Sequence, residues 1–271
     1  MSLLDQVAVL LQEAADQVVN PRFQSLRASE VHEKTPGDLV TDADREAEVL
    51  ITAGLRRLDP GAVVVGEEAV AADPALLALV ATAPRVWVVD PVDGTNNFVA
   101  GSSEHAVMAA LIVGGQTVLG CIWQPQLGHL WTAERGAGAF RDGDRLAMAP
   151  PPGPVSSLAG VLAASYLDPA TRAEIERNRP RFAELRPGRR CAGVAYPRLA
   201  CGQDDFALFW KVLPWDHAPG ELFVTETGGD LRRLDGSAYR GGRPVTGGAA
   251  GLLVTRHADA WDDVRLSLLE P

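Results

Sequence analysis

The chain has 271 residues, 46% of them hydrophobic and 22% charged, which is the make-up of a soluble globular protein. Its formal net charge of −10 disfavours non-specific binding to nucleic acid or an anionic membrane, and repels a phosphorylated ligand unless bound cations reverse the local sign. The cysteines, Cys121, Cys191 and Cys201, are odd in number, far apart and form no CxxC, so a disulfide framework is excluded and a reducing, cytoplasmic setting is expected.

The N-terminal apolar run is broken by Asp5, Gln6, Gln12 and Glu13 and lacks a basic leader, so it is not read as a signal peptide. Leu3, Leu4, Val7, Leu10, Leu11, Ala14, Val18 and Val19 follow helical spacing and predict an amphipathic helix over 3–19. No segment reaches the ~18 apolar residues of a membrane span. A second helix is expected from Thr41, with Asp44 three residues on as in a capping box, and an apolar face of Ala47, Leu50, Ile51, Leu55 and Leu58. Short apolar runs predict strands at 62–65 and 86–89, the first ending at Gly66-Glu67-Glu68 and the second at Asp90. Strands at 105–113 and 118–124 flank Gly114-Gly115, and 129–141 reads as two more around Gly136. The proline-rich 149–157 marks a boundary between subdomains 1–148 and 149–271 that form one structural unit. Beyond it, strands at 160–164, 205–210 and 251–256 alternate with helices at 169–179, 194–203 and 258–269. A further helix begins near Asp216, which is read as its N-cap with Pro219 in the first turn, and stops at Gly228-Gly229. The pattern is mixed α and β.

The stretch VWVVDPVDGTNNF, 86–98, concentrates the chemistry. Asp90 stands at the C-terminal end of an apolar strand, where α/β sheets place ligands. Gly94 permits close backbone approach, and Thr95-Asn96-Asn97 would open a helical turn with free N–H groups. Carboxylates suit Mg²⁺ and amides suit phosphate, so the two halves belong together. Alone, a DxxD pair also reads as the cap of a turn. A calcium loop is the other alternative, but the twelfth residue from Asp90 is Gly101 rather than an acid. Glu67 and Glu68 alone read as solvated loop charges, and Asp44 and Asp216 as helix caps. His105, Trp87, Trp123 and Trp131 are assigned to the core. Lys34 is either a plain loop lysine or part of a lid near the acidic residues.

Taken in order, VTDADREAE, VVGEE, WVVDPVDGTNNF and PWDHAPGELFVTETGG resemble the signature of the inositol monophosphatase family. The resemblance implies a layered α-β-α-β-α sandwich, a homodimer, and Mg²⁺-dependent hydrolysis of a small phosphorylated metabolite by metal-activated water. Carried over residue by residue, it has Glu67, Asp90 and the carbonyl of Val92 holding one Mg²⁺. Asp90, Asp93 and Asp216 hold a second, and a third, weaker ion lies near Glu67. It further implies that Thr95 orients the attacking water, that Asp44 holds the Thr95 hydroxyl, that Glu67 helps as base, and that the N–H groups of Gly94 and Thr95 bind phosphate. Substrates in the wider superfamily include inositol phosphate, fructose-1,6-bisphosphate, 3′-phosphoadenosine phosphate and histidinol phosphate. A non-catalytic partner-binding role and a structural Ca²⁺ module are the competing readings.

The chain departs from the family pattern at the substrate end. Phe209 stands where inositol-preferring relatives often carry a Glu, and Gly193-Val194-Ala195 lacks the hydroxyl of their G-[ST]-A. A pocket with Phe209 and Val194 in place of those polar contacts should hold a bare polyol weakly, because its hydroxyls lose partners, and Ala195 is a further candidate substrate contact. Arg198, Lys211 and His217 are candidates for contacting a second anionic or polar group.

Overall fold

A computed structural model of the chain describes residues 1–163, 167–241 and 251–270. The first helix, α1 (Leu3–Ala14), is capped by Ser2, whose hydroxyl accepts the Asp5 N–H while Asp5 accepts the Ser2 N–H. The expected helix over 3–19 is not uniform: Ala15–Val19 is a wider π turn, in which Ala15 O accepts from Asn20 N. Pro21, with no N–H to donate, follows at once and ends the ladder. A hairpin that the sequence reading leaves as loop comes next, β1 (Val31–Thr35) and β2 (Asp38–Thr41), turning at Pro36-Gly37. Thr41 then caps α2 (Asp42–Leu58), and Asp44 accepts the Thr41 N–H at 2.8 Å as expected of a capping box. The buried face of α2 includes Ala43, Ala47, Ile51 and Leu55, while Leu50 faces out.

A seven-stranded sheet follows in chain order: β3 (Val63–Gly66), β4 (Arg85–Asp93), β5 (Ala106–Val113), β6 (Gln116–Gln124), β7 (His129–Glu134), β8 (Gly138–Arg141) and β9 (Asp144–Arg145). Only β3 and β4 pair in parallel; every later pair is antiparallel. Gly114 and Gly115, both at positive φ, make the two-residue turn between β5 and β6. Short helices α3 (Glu67–Ala72) and α4 (Leu77–Thr82) link β3 to β4. Glu67 and Glu68 therefore open a helix rather than end a strand. Strand β4 is apolar without alternation because both its faces are covered. Trp87 and Val89 pack in the cluster with α1 and α2, and Val86 and Val88 pack with Trp215 and Ala218.

Among the described residues the second sheet has five strands, in the order β11-β10-β12-β14-β13. These are β10 (Ala159–Leu162), β11 (Glu184–Pro187), β12 (Phe206–Phe209), β13 (Asp230–Arg233) and β14 (Leu252–Thr255). Strands β11, β10 and β12 are parallel, and β14 runs against both its neighbours. Ala164, the last residue of the strand expected at 160–164, lies outside the described residues.

Helices α7 (Ala192–Ala200) and α8 (Pro214–Thr225) lie between the sheets: Tyr196, Leu199, Leu222 and Phe223 pack with Met108 and Ile122 of one and with Ala207 and Val254 of the other. On the outer face of the second sheet, α6 (Pro169–Asn178) and α9 (Trp261–Leu269) cover Phe206, Leu208 and Leu253. The layers are thus α-β-α-β-α. Two expectations for α8 fail. Leu213, not Asp216, holds the N-cap position with Pro214 first in the helix, so Asp216 sits within the first turn and Pro219 in the interior. Among the described residues, no helix is long and apolar enough to cross a membrane.

Candidate metal and phosphate site

Strand β4 delivers two carboxylates to one place by breaking its own register. Asp90 pairs with Met108 and Asp93 with Ala106, so three steps on β4 face two on β5. In a regular strand residues three apart point to opposite faces. The extra residue of this bulge lets Asp90 and Asp93 line the same cleft, of about 580 Å³. Pro91 within the bulge has no N–H to lose from the ladder.

Glu67 opens α3 and Asp216 lies in the first turn of α8. Oxygens of Glu67, Asp90 and Asp216 lie within 4.8 Å of one another. Asp90 is buried, and its Oδ1 has no hydrogen-bond partner among the described residues. Burial, then the charges of Glu67, Asp93, Asp216 and Asp44, push the Asp90 carboxyl well above its ordinary range. Asp216 is raised likewise, by burial and then by Glu67 and Asp93. Three converging carboxylates with an orphaned buried oxygen are a poor arrangement for a protein alone and a good one for a hard divalent cation.

Asp93 is anchored from the opposite side. Its Oδ2 accepts the Gly193 N–H at 2.5 Å and the Cys191 thiol at 3.0 Å, both at the start of α7. Burial raises its pKa to about 6 despite these bonds. Gly94 takes φ +81°, and a Cβ there would sit 3.0 Å from the Glu104 carbonyl oxygen and 3.1 Å from Cys191 Cβ. It hands the chain to α5 (Thr95–Val99). The Thr95 hydroxyl lies 2.9 Å from Asp44 Oδ1 and 2.9 Å from the Val92 carbonyl oxygen. Asp44, whose other oxygen is held by Thr41, is raised to about 6 by burial.

Two further groups complete the acidic wall. Lys34, on β1, donates to Glu67 Oε1 at 2.8 Å and to Glu68 Oε1 at 2.5 Å, so it is no plain loop lysine. Burial opposes its charge, but Glu67 and Glu68 more than offset this and hold it above the ordinary lysine value. Glu48 accepts the N–H groups of Glu68 and Ala69, each at 2.8 Å, and so caps the helix that Glu67 opens. Sequence reasoning missed Glu48, although its place four residues after Asp44 puts both on one helix face. It missed Cys191 too, for which no local signal exists.

The model of the inositol monophosphatase family matches residues 1–269. The chain belongs to the inositol monophosphatase family. It is 32% identical over 214 residues to the fructose-1,6-bisphosphatase/inositol-1-monophosphatase of Thermotoga maritima, covering 78% of this chain and 77% of that one. It is 35% identical over 242 residues to the histidinol-phosphatase of Mycobacterium tuberculosis, covering 86% and 88%. Among solved structures, an IMPase of Thermotoga maritima superposes with a TM-score of 0.81 at 27% identity, covering 99% of this chain and 97% of that one. The family is one of metal-dependent phosphoric monoester hydrolases.

The substrate end of this inositol monophosphatase-family cleft departs from the sequence expectations in two ways. Phe209, Ala195 and Lys211 do line it. Arg198 does not: its guanidinium is turned away onto Asp204 Oδ2 at 2.7 Å and Gln203 Oε1 at 2.8 Å, which corrects its assignment as a substrate contact. His217 lines the cleft without a free nitrogen. Its Nε2–H donates to the Lys211 carbonyl at 3.0 Å, and its Nδ1 accepts the Tyr196 hydroxyl at 2.9 Å. Burial lowers its pKa to about 4, so it is neutral and holds no anion.

Proposed function

We propose that the chain is a Mg²⁺-dependent phosphomonoesterase acting on a small phosphorylated metabolite. The carrying observation is the convergence of Glu67, Asp90 and Asp216, from three separate segments, within 4.8 Å. In this reading Glu67, Asp90 and the Val92 carbonyl hold one ion; Asp90, Asp93 and Asp216 hold a second, with a third near Glu67. When bound, Mg²⁺ supplies positive charge for the phosphoryl oxygens and lowers the pKa of water.

The chain's own groups do the rest. With the Val92 carbonyl committed to a cation, the Thr95 hydroxyl would donate its hydrogen bond to Asp44 Oδ1, and its oxygen lone pair is left to accept a hydrogen bond from the attacking water. Water is thereby aimed, and Glu67 is the nearby base. The N–H groups of Gly94 and Thr95, at the start of α5, hold phosphate. The water oxygen forms a new bond to phosphorus as one of its protons passes to Glu67, the P–O bond to the leaving oxygen breaks, that oxygen takes up the proton to leave as the alcohol, and phosphate departs.

We further infer that subdomains 1–148 and 149–271 work as one unit. Ala106 and Met108 of the first and Tyr196 and Leu252 of the second sharing one core cluster support this. A cytoplasmic location is supported by the free state of Cys121, Cys191 and Cys201; the homodimer rests on family resemblance. Intact acidic residues favour turnover over a purely partner-binding role.

The test is phosphate release from inositol 1-phosphate, fructose 1,6-bisphosphate, 3′-phosphoadenosine 5′-phosphate, histidinol phosphate and β-glycerophosphate, each with Mg²⁺ and with EDTA. Release that needs Mg²⁺ is expected. Release that survives EDTA, or none from any substrate while Mg²⁺ binds, counts against the reading.

A further inference from the structure

Outside its acidic cluster the cleft offers little to a polyol. Among the described lining residues the only other carboxylate is Asp38, whose Oδ2 lies 3.5 Å from Lys211 Nζ. The Asn96 amide is spent on the β1–β2 hairpin, accepting from Leu39 N and donating to the Gly37 carbonyl. The remaining wall includes Val161, Leu162, Ala195, Leu208, Phe209 and Trp210.

Within that wall Phe209 is a fixed platform. Its ring stacks on Tyr196, with centroids 5.3 Å apart and planes 11° apart, and meets the edge of His217 at 4.8 Å. Tyr196 and His217 are buried and locked to each other by a hydrogen bond. Phe209 itself is half-buried and lines the cleft, so its exposure is to the ligand's side.

The second unexplained group is Arg190. It lines the same cleft, is exposed, and its guanidinium makes no hydrogen bond or ion pair among the described residues, whereas Arg189 pairs with Glu104. Its φ is +55°, a backbone state that persists only where the surroundings enforce it. Here they do: the Asn97 amide donates to the carbonyls of both Arg189 and Glu104, at 2.9 and 2.8 Å, and so pins the loop that presents Arg190.

We propose that the substrate is a phosphate monoester whose leaving group carries a planar aromatic ring, stacked on Phe209, and a second anionic group, held by Arg190. This rests on the phosphatase reading above and leaves its chemistry, hydrolysis of a P–O bond by water, unchanged. A ring on the platform keeps its dispersion contacts. A guanidinium meeting a carboxylate or phosphate adds a charge-assisted pair. An inositol ring would gain neither and would leave hydroxyls unpartnered.

Matched substrates separate the two contacts: 4-carboxybenzyl phosphate, benzyl phosphate, (4-carboxycyclohexyl)methyl phosphate and inositol 1-phosphate, all with Mg²⁺. The expected order of kcat/KM has 4-carboxybenzyl phosphate first. It should exceed benzyl phosphate by about tenfold through the charge and the cyclohexyl compound by about three- to tenfold through the ring. Arg190→Gln should collapse the first ratio while keeping the second, and Phe209→Ala the reverse. Inositol 1-phosphate turning over fastest, or both ratios unchanged in both variants, overturns the proposal. If nothing turns over, the phosphatase reading fails on its own, and calorimetric binding of the four corresponding phosphonates to the Mg²⁺-loaded protein decides this one. The same order of affinity supports it, and equal affinities overturn it.

Discussion

The Thr95 hydroxyl has one proton and two acceptors, Asp44 Oδ1 and the Val92 carbonyl, each at 2.9 Å. Its value to the reaction is that choice. Thr95→Val should cost about a hundredfold in kcat with a much smaller change in KM. It should also cost about 1–2 kcal/mol of stability, because Asp44 Oδ1 loses a buried donor; steady-state kinetics and urea melts read the two effects separately. Protonation belongs to the same scale. Burial raises Asp44 and Asp93 from 3.8 to about 6, and Glu68 from 4.5 to about 7. A carboxyl raised in the folded state stabilises fully below its unfolded value, and that contribution is lost as pH rises through its folded value. The metal-free protein should therefore be more stable in EDTA at pH 5 than at pH 8, by on the order of a few kcal/mol. Urea midpoints that rise with pH over this window would contradict the burial of these groups. The identities of Glu67, Asp90, Asp93 and Asp216 were legible because the motif blocks carry them. Lys34 was legible only as one of two alternatives and Cys191 not at all, since each reaches the site across a tertiary contact that local pattern does not encode.

At the scale of elements, the bulge in β4 and the cap on α3 place the acids. Glu48 sits on α2 yet closes the N-terminus of α3, and Gly66 is where that approach happens: a Cβ there would lie 2.2 Å from the Glu48 carboxyl carbon. Glu48→Ala should destabilise by about 1–2 kcal/mol and loosen Glu67, raising the Mg²⁺ concentration for half-activation by about tenfold. Mn²⁺ titration followed by paramagnetic resonance checks the affinity without turnover. Sequence periodicity found the long elements, α2, β5 and β6, because their buried faces repeat at 3.6 or 2 residues. It left the β1–β2 hairpin as loop because VHEKT and DLVT are half-buried and weakly alternating. It misplaced the start of α8 because Asp216 suits an N-cap by composition, while Pro214, favoured at the first helical position, sets the true start. Arg198 looked available for the cleft until Asp204, six residues away, claimed its guanidinium.

For the whole molecule, a net charge of −10 and an acidic cluster centred on the buried Asp90 set an unusual balance. The five layers hold Glu67, Asp90 and Asp216 together at the cost of mutual repulsion, so the bare fold carries a penalty that a cation removes. Replacing Asp90 with Asn takes out one of the repelling charges. In EDTA that variant should melt above the wild type, although it should hydrolyse nothing. Saturating Mg²⁺, at about a hundred times its dissociation constant, adds roughly 3 kcal/mol to a protein that binds it only when folded. For a chain of this length that corresponds to about 5–10 °C. The most direct measurement is thus thermal melting of wild type and Asp90→Asn, each in EDTA and in saturating Mg²⁺. The wild type should gain about 5 °C or more with Mg²⁺, and Asp90→Asn should start higher and gain almost nothing. A wild-type melt indifferent to Mg²⁺, or a variant that gains as much as the wild type, would contradict a cation site built around Asp90.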